Sequence, residues 1–189
     1  MATKKDFNDV WELAVPYLKK GRRKNFLLHT KYVVKSMKML LKKEGGEPDI
    51  MIPAAMLHDT GWAYVPLELQ KHMKGEKAKK ALELHLESAV PIIERVLTRL
   101  GYDKNKIQRI TEIVLSHKFK DPKDVEKRLL IDADTLSDAF KEPFYEDCKA
   151  YKMKPKELYE FRKKNKFYTK SAREIFRKEL EKRKKEIKV

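Results

Sequence analysis

The stretch IMIPAAMLHDTGW, residues 50–62, decides the fold. Pro48 and Asp49 open an apolar run too short to cross a bilayer. The run ends on the neighbours His58 and Asp59, followed by Thr60 and Gly61. On a regular helix adjacent side chains point about 100° apart. His58 and Asp59 can therefore meet one ion only if the helix stops there or the ion sits in a crevice between helices. Thr60-Gly61 favours a stop, and Gly61 also permits a sharp change of chain direction.

Outward from this segment almost every stretch has a helical period. Val10, Leu13, Ala14, Tyr17 and Leu18 form one apolar stripe. A second helix is expected from about Arg22 to Lys43 and is stopped by Gly45-Gly46. Residues 62–80, with Pro66, Gly75 and clustered lysines, suggest a loop with a short helical piece. Helical pattern resumes near Leu82 and reaches Leu100, and Pro91 suggests a helix start with Ser88 as its N-cap. Helices around Ile107–Val114 and Leu129–Phe140 follow, then two opened by Pro143 and Pro155, and a last one from about Ser171. No stretch alternates with the period of a half-buried strand. The expected class is all-α.

A length of 189 residues favours one domain spanning residues 1–189, with a basic helical extension from about residue 149. Net charge is +16, and the excess is concentrated from Lys149 to Val189, where 17 Lys/Arg face 6 Glu. Glu157, Glu160, Glu174 and Glu179 interrupt that run as helix-face pairs do, which favours a solvated surface. The sharper alternative is an electropositive face for nucleic acid or a phosphate-bearing substrate. Cys148 is the only cysteine, so neither an intrachain disulfide nor a thiolate zinc cage can form. The start MATKKDFNDV lacks an apolar signal segment. These features predict a cytoplasmic protein without a membrane partner.

The chemistry lies in five histidines, His29, His58, His72, His85 and His117, and in LLIDADTL, residues 129–136. Asp132 and Asp134 sit inside that apolar run. A carboxylate there is costly unless it is paired, hydrogen-bonded or metal-bound. Imidazole and carboxylate together suit Mn, Fe, Co, Ni or Zn, and facing helices of a bundle are a standard place for such ligands.

The order His29, His58-Asp59, Asp134 resembles the HD superfamily of metal-dependent phosphohydrolases. AAMLHDTGW is similar to its HD segment and LLIDADTL to its last motif, an aspartate after alanine and before x-Leu, which selects Asp134 over Asp132. The resemblance runs from about Arg23 to Leu136, and FYTKSAREIF, residues 167–176, looks like the closing helix of several small HD proteins. His85 in HLESA and His117 in VLSHK resemble the extra ligands of the branch ordered H…HD…H…H…D, which binds two metals. In that branch Asp59 bridges the ions, and His85 and His117 hold the second. The resemblance thus implies an HD-type helical bundle with the metal site between helices. One or two divalent transition-metal ions would be held by His29, His58, Asp59, His85, His117 and Asp134. His72 matches no position and is expected in solvent. Asp132 reads as a hydrogen-bonding support or a helix cap.

A metal so held supplies hydroxide near neutral pH, and the resemblance implies hydrolysis of a small phosphorylated metabolite or nucleotide. Asp59 then has two candidate jobs, ligand and proton acceptor. Arg22, seven residues before His29, and Lys118, directly after His117, are candidate cations for phosphoryl oxygens, although each alone reads first as surface charge. Residues 60–63 lack the glutamate of one HD nucleotidase subset, and the glycine-tyrosine-proline signature of cyclic dinucleotide phosphodiesterases is missing. The same ligand order also resembles dinuclear iron oxygenases similar to myo-inositol oxygenase. A nucleic-acid-binding module using the basic tail is a third reading.

Overall fold

A computed structural model describes residues 4–20, 26–72, 74–118 and 122–187, with side chains from residue 7 onward. Among these residues there is no strand. The helices are α1 (Lys4–Leu18), α2 (Phe26–Glu44), α3 (Pro48–Leu57), α4 (Leu67–Gln70), α5 (Glu76–Arg99), α6 (Lys104–Ser116), α7 (Val125–Ser137), α8 (Lys141–Tyr151), α9 (Pro155–Arg162) and α10 (Lys170–Glu186). A short 3-10 turn, Thr60–Tyr64, joins α3 to α4.

The apolar run of residues 50–57 is the centre of the core. Each of its residues is buried, so α3 is apolar all round rather than amphipathic. Helices α1, α2, α6 and α7 pack around it. The other helices contribute stripes: Val33, Met37 and Leu40 from α2, Ile110 and Ile113 from α6, Leu130 and Leu136 from α7. Gly45 and Gly46, with φ of 78° and 113°, end α2 in a backbone region that side chains with a Cβ avoid.

Two local expectations are corrected. Helix α5 begins at Glu76, capped by Gly75, and runs unbroken through Ser88 and Pro91. Ser88 is therefore no N-cap. Pro91 removes the donor to the Glu87 carbonyl, but both residues are exposed, so water can take over that bond. Gly61, in turn, does not reverse the chain through a positive φ. It is needed because a Cβ there would lie 2.0 Å from the His85 carbonyl oxygen. The 3-10 turn thus lies directly against α5, and a side chain at 61 would separate them.

The basic C-terminal helices are joined to the rest. Ile175, Phe176 and Leu180 of α10 are buried, and α10 packs on α7, α9 and α2. Asp132, fully buried on α7, accepts hydrogen bonds from Tyr168 N (2.9 Å), Thr169 N (2.8 Å) and Thr169 Oγ1 (2.7 Å). Thr169 is itself the N-cap of α10. Many charges of this region are paired: Lys163 with Glu160, Lys170 with Glu174, Lys182 with Glu179, Lys184 with Glu181. Glu157 instead accepts from the Lys154 backbone N–H and caps α9.

Candidate metal centre

Helix α3 ends at Leu57, and the chain leaves the helical path at Asp59 (φ −105°, ψ 5°). That break lets two adjacent side chains converge: His58 Nε2 lies 3.3 Å from Asp59 Oδ2. His29 arrives from the start of α2 and Asp134 from α7. His29 Nε2 is 3.4 Å from Asp59 Oδ2, 3.4 Å from His58 Nε2 and 3.0 Å from Asp134 Oδ1. His58 Nε2 is 3.9 Å from Asp134 Oδ1. Ligands about 2.1 Å from one ion are separated by such distances.

The other carboxylate oxygen of Asp59 faces a second pair. Oδ1 lies 3.6 Å from His85 Nε2 and 3.8 Å from His117 Nε2, and it accepts from Trp62 Nε1 at 3.2 Å. His85 comes from the middle of α5 and His117 from the C-cap of α6. Two clusters of ligating atoms thus share one carboxylate, each able to hold an ion: His29, His58 and Asp59 in one, and Asp59, His85 and His117 in the other.

Tautomers are set from behind. His58 Nδ1 donates to the Ala55 carbonyl at 2.9 Å, and His117 Nδ1 donates to the Val114 carbonyl. The Ser137 hydroxyl donates to the Asp134 carbonyl (2.7 Å), which leaves its oxygen to accept from His29 Nδ1 (3.2 Å). With a metal bound, these contacts would keep the proton of each ring on Nδ1 and turn the Nε2 lone pair to the ion. Without one, burial lowers His29, but Asp134 and Asp59 outweigh it and hold its imidazole above the usual histidine range. Trp62 stacks on His85 with ring centroids 4.4 Å apart and 10° between planes.

The donor set also fits a metal by what it leaves unsatisfied. His85 Nδ1 and Nε2 and His117 Nε2 are buried without a hydrogen-bond partner. Such groups are costly, and a cation beside Asp59 Oδ1 would satisfy both Nε2 atoms. Burial keeps these imidazoles neutral: His85 is held well below the usual histidine range, and His117 is lowered to about 4 by burial and by Lys118. Burial opposes charge on Asp59 too, but His58 and His117 hold its carboxyl well below the usual range. Asp134 is likewise held low, against burial, by Lys118 and His29.

Of the two candidate cations, Lys118 is at the centre, with Nζ 2.8 Å from Asp134 Oδ2. Arg22 lies outside the described residues. Asp132 faces away from the cluster, into its contacts with Tyr168 and Thr169. His72 is exposed, at the lining of a cavity of about 390 Å³ that opens onto His29, Asp59 and Asp134. Sequence reading missed Ser137, which orients His29. It also missed Asp138, Asp147 and Arg162 in the cavity wall. Asp138 follows Asp134 by one helical turn, a usable signal; Asp147 and Arg162 have none.

No helix among the described residues is long and apolar enough to cross a membrane. Searches of curated proteins and of solved structures returned no match. The family model for the HD domain matches residues 26–139, more than half of the chain and the segment from His29 to Asp134, and the chain belongs to the HD domain family.

Proposed function

We propose that this protein is a metal-dependent phosphohydrolase that binds two divalent transition-metal ions, drawn from Mn, Fe, Co, Ni or Zn, and acts on a small phosphorylated substrate. The observation that carries this reading is the division of Asp59, whose Oδ2 faces His29 and His58 while Oδ1 faces His85 and His117. His29, His58, Asp59 and Asp134 would hold one ion, and Asp59, His85 and His117 the other.

When bound, such ions lower the pKa of water and offer positive charge to a phosphoryl oxygen. The residues of the chain do the rest. Asp59, with both oxygens turned to histidines and a third contact from Trp62, would be fully engaged in holding the ions, which supports the ligand role over that of proton acceptor. Lys118, held beside the ligands by Asp134, supplies a cation for a phosphoryl oxygen that does not face the ions. Trp62, stacked on His85, covers the second cluster and keeps it dry, which strengthens its electrostatics.

Metal analysis of the purified protein, followed by a phosphate-ester screen with each metal under argon, tests the proposal. Two ions per chain and phosphate release without oxygen are expected. Oxygen uptake by the iron-loaded protein with no phosphate release under argon would overturn it in favour of the oxygenase reading.

A further inference from the structure

One wall of the cavity is built by residues with no place among the metal ligands. Asp138 comes from the C-cap of α7, Asp147 from α8 and Arg162 from the end of α9. Arg162 is buried, and its two terminal nitrogens bind Asp138 Oδ2 and Asp147 Oδ2. The charge of the guanidinium is thus offset by the two carboxylates that flank it, while its Nε is buried without a hydrogen-bond partner. The wall carries two carboxylates against one guanidinium, and Asp138 and Asp147 both line the cavity. Asp138 meets Arg162 through Oδ2.

The cavity, about 390 Å³, has room for a small metabolite. Lys118 is the other Lys or Arg in its lining among the described residues, enough for one phosphoryl group beside the ions. Trp62 is already engaged by protein rings, with His85 near-parallel at 4.4 Å and Phe26 near-parallel at 6.1 Å.

We infer that the Asp138–Arg162–Asp147 wall is the subsite for the organic part of the substrate. It selects a compact phosphomonoester rich in hydroxyl or ammonium donors and rejects nucleoside di- and triphosphates. The inference rests on the phosphohydrolase reading. Donors on the organic part meet carboxylate acceptors in a partly dry cavity, where such bonds are strong. A second phosphoryl group would meet the same carboxylates and a guanidinium already neutralised, so repulsion excludes it.

The test uses the Mn²⁺-loaded full chain with glucose 6-phosphate, phosphoethanolamine, p-nitrophenyl phosphate and ADP, in wild type, Asp138→Asn and Asp147→Asn. Metal content and circular dichroism of each variant are measured alongside. The ratio of kcat/KM for either donor-rich ester to that for p-nitrophenyl phosphate should fall about 10-fold in each variant, as loss of one charged hydrogen bond dictates. ADP should compete at least ~10-fold more weakly than the better donor-rich ester. A parallel loss on all esters, or ADP competing as well as the monoesters, would overturn the subsite. If no ester is hydrolysed, the phosphohydrolase reading falls and calorimetric titration of the same compounds decides the subsite. Monoester affinity weakened by Asp138→Asn keeps it, and equal affinity in both proteins refutes it.

Discussion

Gly61 and His85 are in backbone contact: a Cβ on Gly61 would lie 2.0 Å from the His85 carbonyl oxygen and 2.9 Å from Ala89 N. The partner atoms are helical backbone, which cannot swing aside as a side chain can. This contact sets the distance between the turn that follows the His58-Asp59 pair and the helix that carries His85.

Gly61→Ala should therefore push α5 away from Asp59. Overpacking costs about 1–3 kcal/mol where side chains can adjust, and a backbone contact lies at or beyond the upper end. The expected result is a lower melting temperature, with metal content falling from two ions per chain toward one, because His85 leaves Asp59 Oδ1 while the His29–His58 side is untouched. Metal analysis of the folded variant checks this. Full occupancy of both clusters would mean that the turn and helix are not rigidly coupled.

His58→Ala should abolish metal binding at the first cluster and Asp59→Ala at both, each leaving the helices largely intact. His58 is fully buried but sits past the end of α3, so the helical hydrogen bonds of residues 48–57 do not depend on its ring. Circular dichroism and metal content read the two effects separately. Unchanged occupancy in both variants would remove these residues from the metal site.

Much of this centre was legible in the sequence, and the illegible parts have physical causes. His58-Asp59 before Thr-Gly marked a helix end, and the ordered motifs marked which helices would meet at it. Gly61 was misread because a turn and a close approach require the same residue, and sequence cannot distinguish them. Pro91 was misread because its cost depends on whether the freed carbonyl faces water, which is a property of the packed helix. Asp138, Asp147 and Arg162 meet from three helices, and no local spacing records that.

Asp132 and Asp134 should separate cleanly. Asp132 accepts three hydrogen bonds from Tyr168 and Thr169, whereas Asp134 faces His29 and Lys118. Asp132→Asn should keep its metal but lose about 1.5–3 kcal/mol of stability, because the bonds to the start of α10 lose their charge. Asp134→Asn should weaken metal binding without loosening α10. Denaturation midpoints and metal content distinguish them, and the reverse pattern would mean that α7 is turned the other way.

The metal-free protein should also depend on pH through His117. Its imidazole protonates near 4 in the folded state, lowered by burial and by Lys118, against 6.5 for an ordinary histidine. Between those values the unfolded chain binds a proton that the folded chain refuses, so stability rises with pH and is lost as pH falls from 6.5 toward 4. Asp138 works in the opposite direction: burial raises it to about 6, with Arg162 opposing and Asp147 adding to the rise, so its contribution is lost as pH increases toward 6. His85, held low by burial, acts in the same direction as His117, so the wild-type slope is a composite and the informative quantity is a difference. His117→Gln removes the contribution of His117 and leaves those of His85 and Asp138 in place. Its metal-free form should lose stability with rising pH between about 4 and 6.5 relative to wild type, as read by urea denaturation at several pH values. Superimposable pH profiles for the two proteins would mean that His117 takes up its proton as readily folded as unfolded, and that its ring is open to water rather than buried against Asp59.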